Sequence, residues 1–480
     1  MQDYSLGIDL GTSAVKFAVL DGAHQIVSIF SAEIPMISHH PGQAEQSLAS
    51  WLAALHQAAD QAQAKLGARV WQNIGTIGLT GQLPTLVVFD EQGPRPHAIT
   101  WADARADAWV ESLIDTPTKS QLYARTGMPI DGRYLAPMFR FHYGASQTGL
   151  KAILSAKDWL CWVLTGAFLT DPSTASGYGV FDLSSHGWAP DLSAIWELAP
   201  ELLPKCAPAT SVAGHLTPAA AAWLGLTPGL PVYLGAADSV MSSFGLGAHQ
   251  PGTVAISMGT SSIILETASA PWRDAQRRYL VTPHVLPGIW GREMDLLSTG
   301  AGHQWLTQIL GVEPEALDRL AAASEPGARG ISCAPYFSGG EQGAIWQPQV
   351  AGVFHGLNLR HNRADIARAF VESMQYEMRR CLEVLAETQT IHRVVISGKI
   401  TAQPDSLQML ADILQYPVMA AAIASPAAYG AALLTRFPDA MANIQYVEMT
   451  PQNTAPYQAA YARHLALFPR YAQPAAKLET

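Results

Sequence analysis

The sequence predicts an α/β protein built from two similar halves that face each other. Two observations carry that expectation. Apolar runs of strand character alternate with helical stretches along the whole chain. A strand–turn–strand unit also occurs twice, as GIDLGTSAVKFAVLD at residues 7–21 and as VAISMGTSSIILE at residues 254–266. Each half of the 480 residues is long enough for its own hydrophobic core. A Gly-Thr-Ser triplet between apolar runs also arises by chance, so the pattern alone leaves duplication open.

The elements follow in order. Residues 5–34 alternate runs such as AVKFAVLD and QIVSIF with turns at Gly11 and Asp21-Gly22, which reads as antiparallel strands. In SLASWLAALHQAADQAQAKL, Trp51, Leu52, Leu55 and Ala59 recur at helical spacing. NIGTIGLTGQLPTLVVFDEQGPRP reads as a strand, a Gly-Gln-Leu-Pro loop, a second strand and a Gly-Pro turn. Residues 151–164, KAILSAKDWLCWVL, read as one helix that stops at Gly166. LTPGLPVYLG at 226–235 is a turn and a strand, leading into Ala236-Ala237-Asp238 and the small-residue stretch SVMSSFGLG. The domain boundary is expected near Gly247–Gly252, giving domains of 1–246 and 247–480. Beyond the second hairpin, a long helix is expected over 363–386, a strand over 393–397, and helices around 405–415 and 427–436.

Composition narrows the function classes. The chain is 49% hydrophobic and 14% charged, an ordinary globular balance. Its net charge of −10 argues against nucleic acid or an anionic membrane as partner. Cys161, Cys206, Cys333 and Cys381 are far apart and form no CxxC, which argues against a zinc site or disulfide scaffold. The N-terminus lacks a basic n-region and a long apolar h-region, and no apolar run is long enough to span a bilayer. The expectation is a soluble cytoplasmic protein.

The first hairpin has the parts of an anion-binding nest: exposed N–H groups, a glycine without Cβ, and two hydroxyls in Gly11-Thr12-Ser13. Lys16 adds a cation. Asp9 could hold a divalent cation, usually through water. The plainer alternative is a hairpin with a solvent-facing Asp9. Asp238 follows a strand and precedes small residues, so a ligand can approach closely. It could accept a proton from a hydroxyl that attacks a γ-phosphate. Its plainer alternative is a helix N-cap.

In order and spacing, the chain resembles the FGGY carbohydrate kinases, and most of all their xylulokinase-type members. The resemblance rests on GIDLGTSAVK, on GLTGQ followed by ITWADAR, and on AKDWLCWVLTG, GAADSVMSSFGLG, ISMGTSS and GVFHGLNLR. It implies two actin-like (ribonuclease-H-like) domains around a central cleft, with ATP and Mg2+ as cofactors. By this resemblance Asp9, Gly11, Thr12, Ser13 and Lys16 match the first phosphate motif, with Asp9 near the magnesium. Gly259, Thr260 and Ser261 match the second phosphate motif, and Gly302 and Gly398 fall on the nucleotide side. Asp238 matches the catalytic base. Gln82, Leu83, Trp101, Asp103 and Arg105 lie in segments that line the sugar pocket. Trp101 is expected as an apolar wall and Asp103 as a hydroxyl binder, with a structural salt bridge as the alternative for Arg105.

Three positions depart from the pattern. Leu83-Pro84 stand where xylulokinases usually carry Met-His, only Gly398 remains of a glycine run and is followed by Lys399-Ile400, and Ser239 replaces the usual Asn. The implied activity is ATP-dependent phosphorylation of a terminal hydroxyl of a small sugar, first a ketopentose such as D-xylulose. A gluconate or polyol kinase is the alternative within the family. A non-catalytic sugar- or nucleotide-sensing protein, or an actin-like filament or chaperone ATPase, are the alternatives from other classes. The resemblance allows a homodimer. His39-His40 are expected at the surface, Trp159 and Trp162 in the core, and His303 and Glu341 in structural roles.

Overall fold

The computed structural model describes residues 4–338, 341–346, 350–437 and 444–471. In the first half, β1 (Tyr4–Leu10), β2 (Ala14–Leu20) and β3 (Ile26–Glu33) form an antiparallel meander. Helix α1 (Leu48–Trp71) returns the chain to β4 (Ile74–Gly81), which lies parallel to β1 on its free side. Helix α2 (Ala156–Thr165) comes before β5 (Val212–His215) and β6 (Pro231–Ala237). β6 is parallel to β4, and α3 (Asp238–Gly245) follows it without a loop. The strand order is β5-β6-β4-β1-β2-β3.

The second half repeats this plan. β7 (Thr253–Met258) and β8 (Ser262–Ala268) form the second hairpin, and β9 (Leu280–Pro283) and β10 (Trp290–Leu296) extend it. Helices α4 (Thr299–Leu310) and α5 (Arg363–Ala386) precede β11 (Arg393–Ser397), and β12 (Val418–Ala420), α6 (Pro426–Leu434) and β13 (Val447–Met449) follow. The order is β9-β10-β8-β7-β11-β12-β13, with β11 parallel to β7 and β12 parallel to β11. Each half therefore contains an antiparallel hairpin extended by further antiparallel pairing on one side and by two parallel strands on the other. The two Gly-Thr-Ser turns occupy equivalent places in this duplicated topology.

The halves meet through helices. α6 belongs to the second half in sequence but lies on the first sheet. A Cβ at Gly7 would stand 1.9 Å from the Ala428 carbonyl oxygen, and one at Gly78 would stand 1.8 Å from that of Ala431. Gly7 and Gly78 are register partners, so two adjacent strands are bare where the helix backbone touches them. α3 and α6 cross as closely: a Cβ at Gly430 would lie 2.4 Å from the Met241 carbonyl oxygen. The core beside this crossing draws on both halves, including Val240, Phe244, Ala255, Val395 and Ala432.

Two local expectations are corrected. Residues 151–164 are not one helix: Leu150–Leu154 is a strand paired with Thr85–Asp90, and the helix starts after Ser155. The Ser155 hydroxyl accepts the Asp158 N–H at 3.3 Å, so a cap separates strand from helix. The helix read over residues 47–66 runs on to Trp71, past a non-helical Gly67 at φ 71°. Among the described residues, no helix is long and apolar enough to cross a membrane.

Candidate active site

Asp9 lies directly across β1–β2 from Lys16. It is 4% exposed, so it is not the solvent-facing residue of a plain hairpin. Burial pushes its carboxyl up to about 6, with the Lys16 charge opposing. One oxygen, Oδ1, is buried with no hydrogen-bond partner. The turn beyond it is braced from below. Gln46 Nε2 donates to the Thr12 carbonyl at 2.6 Å, Gln82 Nε2 donates to Gln46 Oε1 at 2.8 Å, and Trp101 Nε1 donates to Thr12 Oγ1 at 2.8 Å. These bonds hold a short turn in one conformation.

Asp238 emerges beside this hairpin because of the sheet order. Ala237 pairs with Gly81, and Gly81 pairs with Leu10. The carboxyl ends of three parallel strands thus place Asp238 near Asp9, where open α/β sheets bind ligands. Asp238 is the first residue of α3 and not its cap, since Ala237 takes the cap position. Its Oδ1 accepts the Ser239 N–H at 2.9 Å. Burial and then the Asp9 charge push its carboxyl up to about 7, with the Ser239 N–H opposing and Asp295 adding to the rise.

Asp238 opens into a cavity of about 270 Å³. Thr12 and Ser239 line it from the first half, and Ser261, Glu293 and Asp295 line it from the second. Leu83, Pro84, Trp101, Met128 and Trp346 supply apolar walls. A larger cavity of about 930 Å³ includes Gly259, Thr260, Gly300, Gly398 and Lys399 in its lining. The second hairpin therefore touches both spaces, with Gly259 and Thr260 on the large cavity and Ser261 on the small one. Gly398 has φ 120°, and a Cβ there would stand 2.4 Å from the Met258 carbonyl oxygen. Only glycine fits this approach of β11 to the hairpin.

Residues 4–245 match the N-terminal domain of the FGGY family of carbohydrate kinases, and residues 254–437 match its C-terminal domain. The chain belongs to that family. A gluconokinase of Bacillus licheniformis is 25% identical to this FGGY kinase over 464 residues, spanning 90% of this chain and 87% of its own. A glycerol kinase of Gloeobacter violaceus is 30% identical over 448 residues, spanning 89% and 86%. The crystal structure of a xylulose kinase from Rhodospirillum rubrum superposes with a TM-score of 0.88 at 28% identity, covering 97% of this chain and 98% of the other. The fold is the two-domain, actin-like fold of these kinases. Three sugars or polyols head the names of three comparably distant relatives, so likeness alone leaves the acceptor of this FGGY kinase open.

Not every residue expected at the site lines it. Gln82 is buried beneath the first turn and braces it. Asp103 accepts the Ala44 N–H at 2.9 Å and two bonds from Arg105 Nε, at 3.0 and 2.9 Å. Burial opposes its charge, but hydrogen bonds from His142, Arg105 and Ala44 hold it well below the usual carboxylate range. Arg105 also bridges to Glu45, so this pair fastens a loop and leaves no free carboxylate for a sugar. Gly302 is absent from both cavity linings; a Cβ there would meet the Phe370 ring at 2.9 Å. Gly300 lines the larger cavity instead, and a Cβ there would stand 2.2 Å from the Gly259 carbonyl oxygen.

Arg133, Glu293 and Asp295 escaped sequence reading. The signal for the last two was two acids at i and i+2 in WGREMDL, which share one face of a buried strand. His39 and His40 are exposed, Trp159 is buried and Trp162 is half-buried. His303 lines the larger cavity, 3.8 Å from Asp318. Glu341 is buried and accepts the Gln342 and Gly343 N–H groups. Among the described residues no group of three or more His, Cys, Asp or Glu could hold a metal ion.

Proposed function

We propose that this FGGY kinase transfers the γ-phosphoryl group of ATP to a terminal hydroxyl of a small sugar, with a ketopentose such as D-xylulose as the leading acceptor. One observation carries the reading: Asp238 lies in a small cavity that both hairpins reach, next to a larger cavity that shares the second hairpin. A sugar in the small space and a nucleotide in the large one would meet across the second hairpin, between Thr260 and Ser261.

Asp238 is then the general base. Phosphoryl transfer depends mainly on alignment and charge neutralisation, so a single positioned carboxylate suffices to take the hydroxyl proton. A base whose pKa lies near 7 is ionised enough to act and basic enough to receive the proton. The Thr12, Thr260 and Ser261 ends of the two turns would meet the phosphates, with Lys16 adding positive charge across β1–β2 from Asp9. The Gly11 and Gly259 N–H groups are held by the Ala14 and Ser261 carbonyls within the turns. Asp9 fits a magnesium ion because its buried Oδ1 lacks a partner, and a lone carboxylate suits an ion that keeps several waters. Bound there, magnesium would offset the charge of the phosphates. Leu83, Pro84 and Trp101 close the sugar side against water and so limit wasteful ATP hydrolysis.

Gluconate is the second reading, and Arg133 in the cavity wall is the observation in its favour. The test is sugar-stimulated ADP release across ketoses, polyols and sugar acids, for the wild type and Asp238→Asn. A ketopentose is expected to give the highest kcat/KM. The substitution is expected to lower kcat by about 10²–10⁴-fold with little change in KM for the sugar. Activity that survives the change would remove Asp238 as the base.

A further inference from the structure

The small cavity is unevenly charged. Asp238 reaches it from α3, and Glu293 and Asp295 reach it from β10 in the opposite half. Glu293 is 7% exposed, and its Oε2 accepts the Ser239 hydroxyl at 2.7 Å. That bond ties β10 to the first turn of α3, one residue beyond Asp238. It also gives a role to Ser239, one of the three departures in the sequence. Asp295 has one buried oxygen, Oδ1, with no hydrogen-bond partner. The one cation among the described lining residues is Arg133, whose Nε donates to both oxygens of Asp131 at 3.1 and 3.0 Å. Its charge is shared between Asp131, which it bonds, and Asp295, which it faces across the cavity. Burial raises the carboxyls of Glu293, Asp295 and Asp238 together, with the Arg133 charge opposing at Asp295, so the site disfavours an added anion.

We propose that Glu293 and Asp295 are specificity-determining residues that accept hydroxyls of an uncharged ketose or polyol and exclude sugar acids. This rests on the reading of the small cavity as the sugar site. A carboxylate accepts short, charge-assisted bonds from substrate hydroxyls, and the open Oδ1 of Asp295 needs such a donor. A sugar acid would bring another anion beside Asp238, Asp295 and the incoming γ-phosphate. Repulsion of that kind excludes a competitor more sharply than added contacts favour the right ligand. The polar contact missing at Leu83-Pro84 on one wall is thereby supplied by acids on the other. The assignment runs against the substrate named for the gluconokinase relative, so the two are separable by experiment.

Wild type, Glu293→Gln and Asp295→Asn are assayed with D-xylulose, D-ribulose, xylitol and D-gluconate. Thermal shift with each sugar, without nucleotide, is read in parallel. Both substitutions keep size, and the amide oxygen introduced by Glu293→Gln can still accept the Ser239 hydroxyl. The wild type is expected to favour a neutral sugar over gluconate by about 100-fold or more in kcat/KM, and either variant to narrow that ratio about tenfold. Neutral sugars should raise the wild-type melting temperature and gluconate should not. A wild type that prefers gluconate, a ratio unchanged in both variants, or no protection by any neutral sugar would overturn the proposal. If neutral sugars alone protect but none stimulates ADP release, the kinase reading fails while this specificity stands.

Discussion

At the scale of single residues, the site is organised around carboxyl groups held where they are costly. An Asp in the unfolded chain titrates near 4, whereas burial moves Asp9 to about 6 and Asp238 to about 7. Between those limits the native state binds more protons than the unfolded one, so stability falls as pH rises through that window. The ligand-free protein is therefore expected to melt at a lower temperature at pH 8 than at pH 5.5. Asp9→Asn and Asp238→Asn should each flatten this dependence and stabilise the protein at pH 8, on the order of 1–3 kcal/mol. Melting curves across pH check the sign: a stability that rises from pH 5.5 to 8 through these groups would contradict their burial. The same residues then trade stability for function, since the Asn variants lose the base or the metal-holding group.

Element by element, close approach of backbones is what joins the two halves. Strand glycines at Gly7 and Gly78 exist because α6 leaves no room for a Cβ. Gly78→Ala would push a methyl group into the Ala431 carbonyl, and the helix must shift. The expected loss is about 3 kcal/mol or more, the upper end for overpacking, seen as a lower denaturation midpoint. Ser155→Ala removes a single cap bond at the start of α2 and should cost only about 1 kcal/mol. Equal losses in the two variants would argue that α6 is not fixed on the first sheet. Hairpins, the long helix 363–386 and the strand 393–397 were legible in the sequence because their signals are local: alternation, helical spacing and turn residues. The strand Leu150–Leu154 was not, because a short apolar run fits helix or strand equally and only its pairing with Thr85–Asp90 decides.

Across the whole molecule, the small cavity exists only because both halves contribute walls, with α3 and α6 crossing between them. Ligand that bridges Thr12 and Asp238 to Ser261 and Glu293 should draw the halves together. Small-angle scattering is expected to give a smaller radius of gyration with sugar and ADP than with neither. No change with both ligands at saturation would mean that the lobes are already closed.

Sequence alone determined the two Gly-Thr-Ser hairpins and the position of Asp238 after a strand, and its motifs carried the resemblance to the kinase family. The hairpins and the strand follow from residue order and short-range spacing, which survive without coordinates, whereas the duplication needed the matching sheet orders of the two halves. Tertiary structure decided which acids face the ligand. Asp103, expected at the sugar, is consumed by Arg105 and Ala44, while Glu293 and Asp295 reach the cavity from the opposite half. A carboxylate's role depends on its partners and its solvent, and both are set by chain segments distant in sequence.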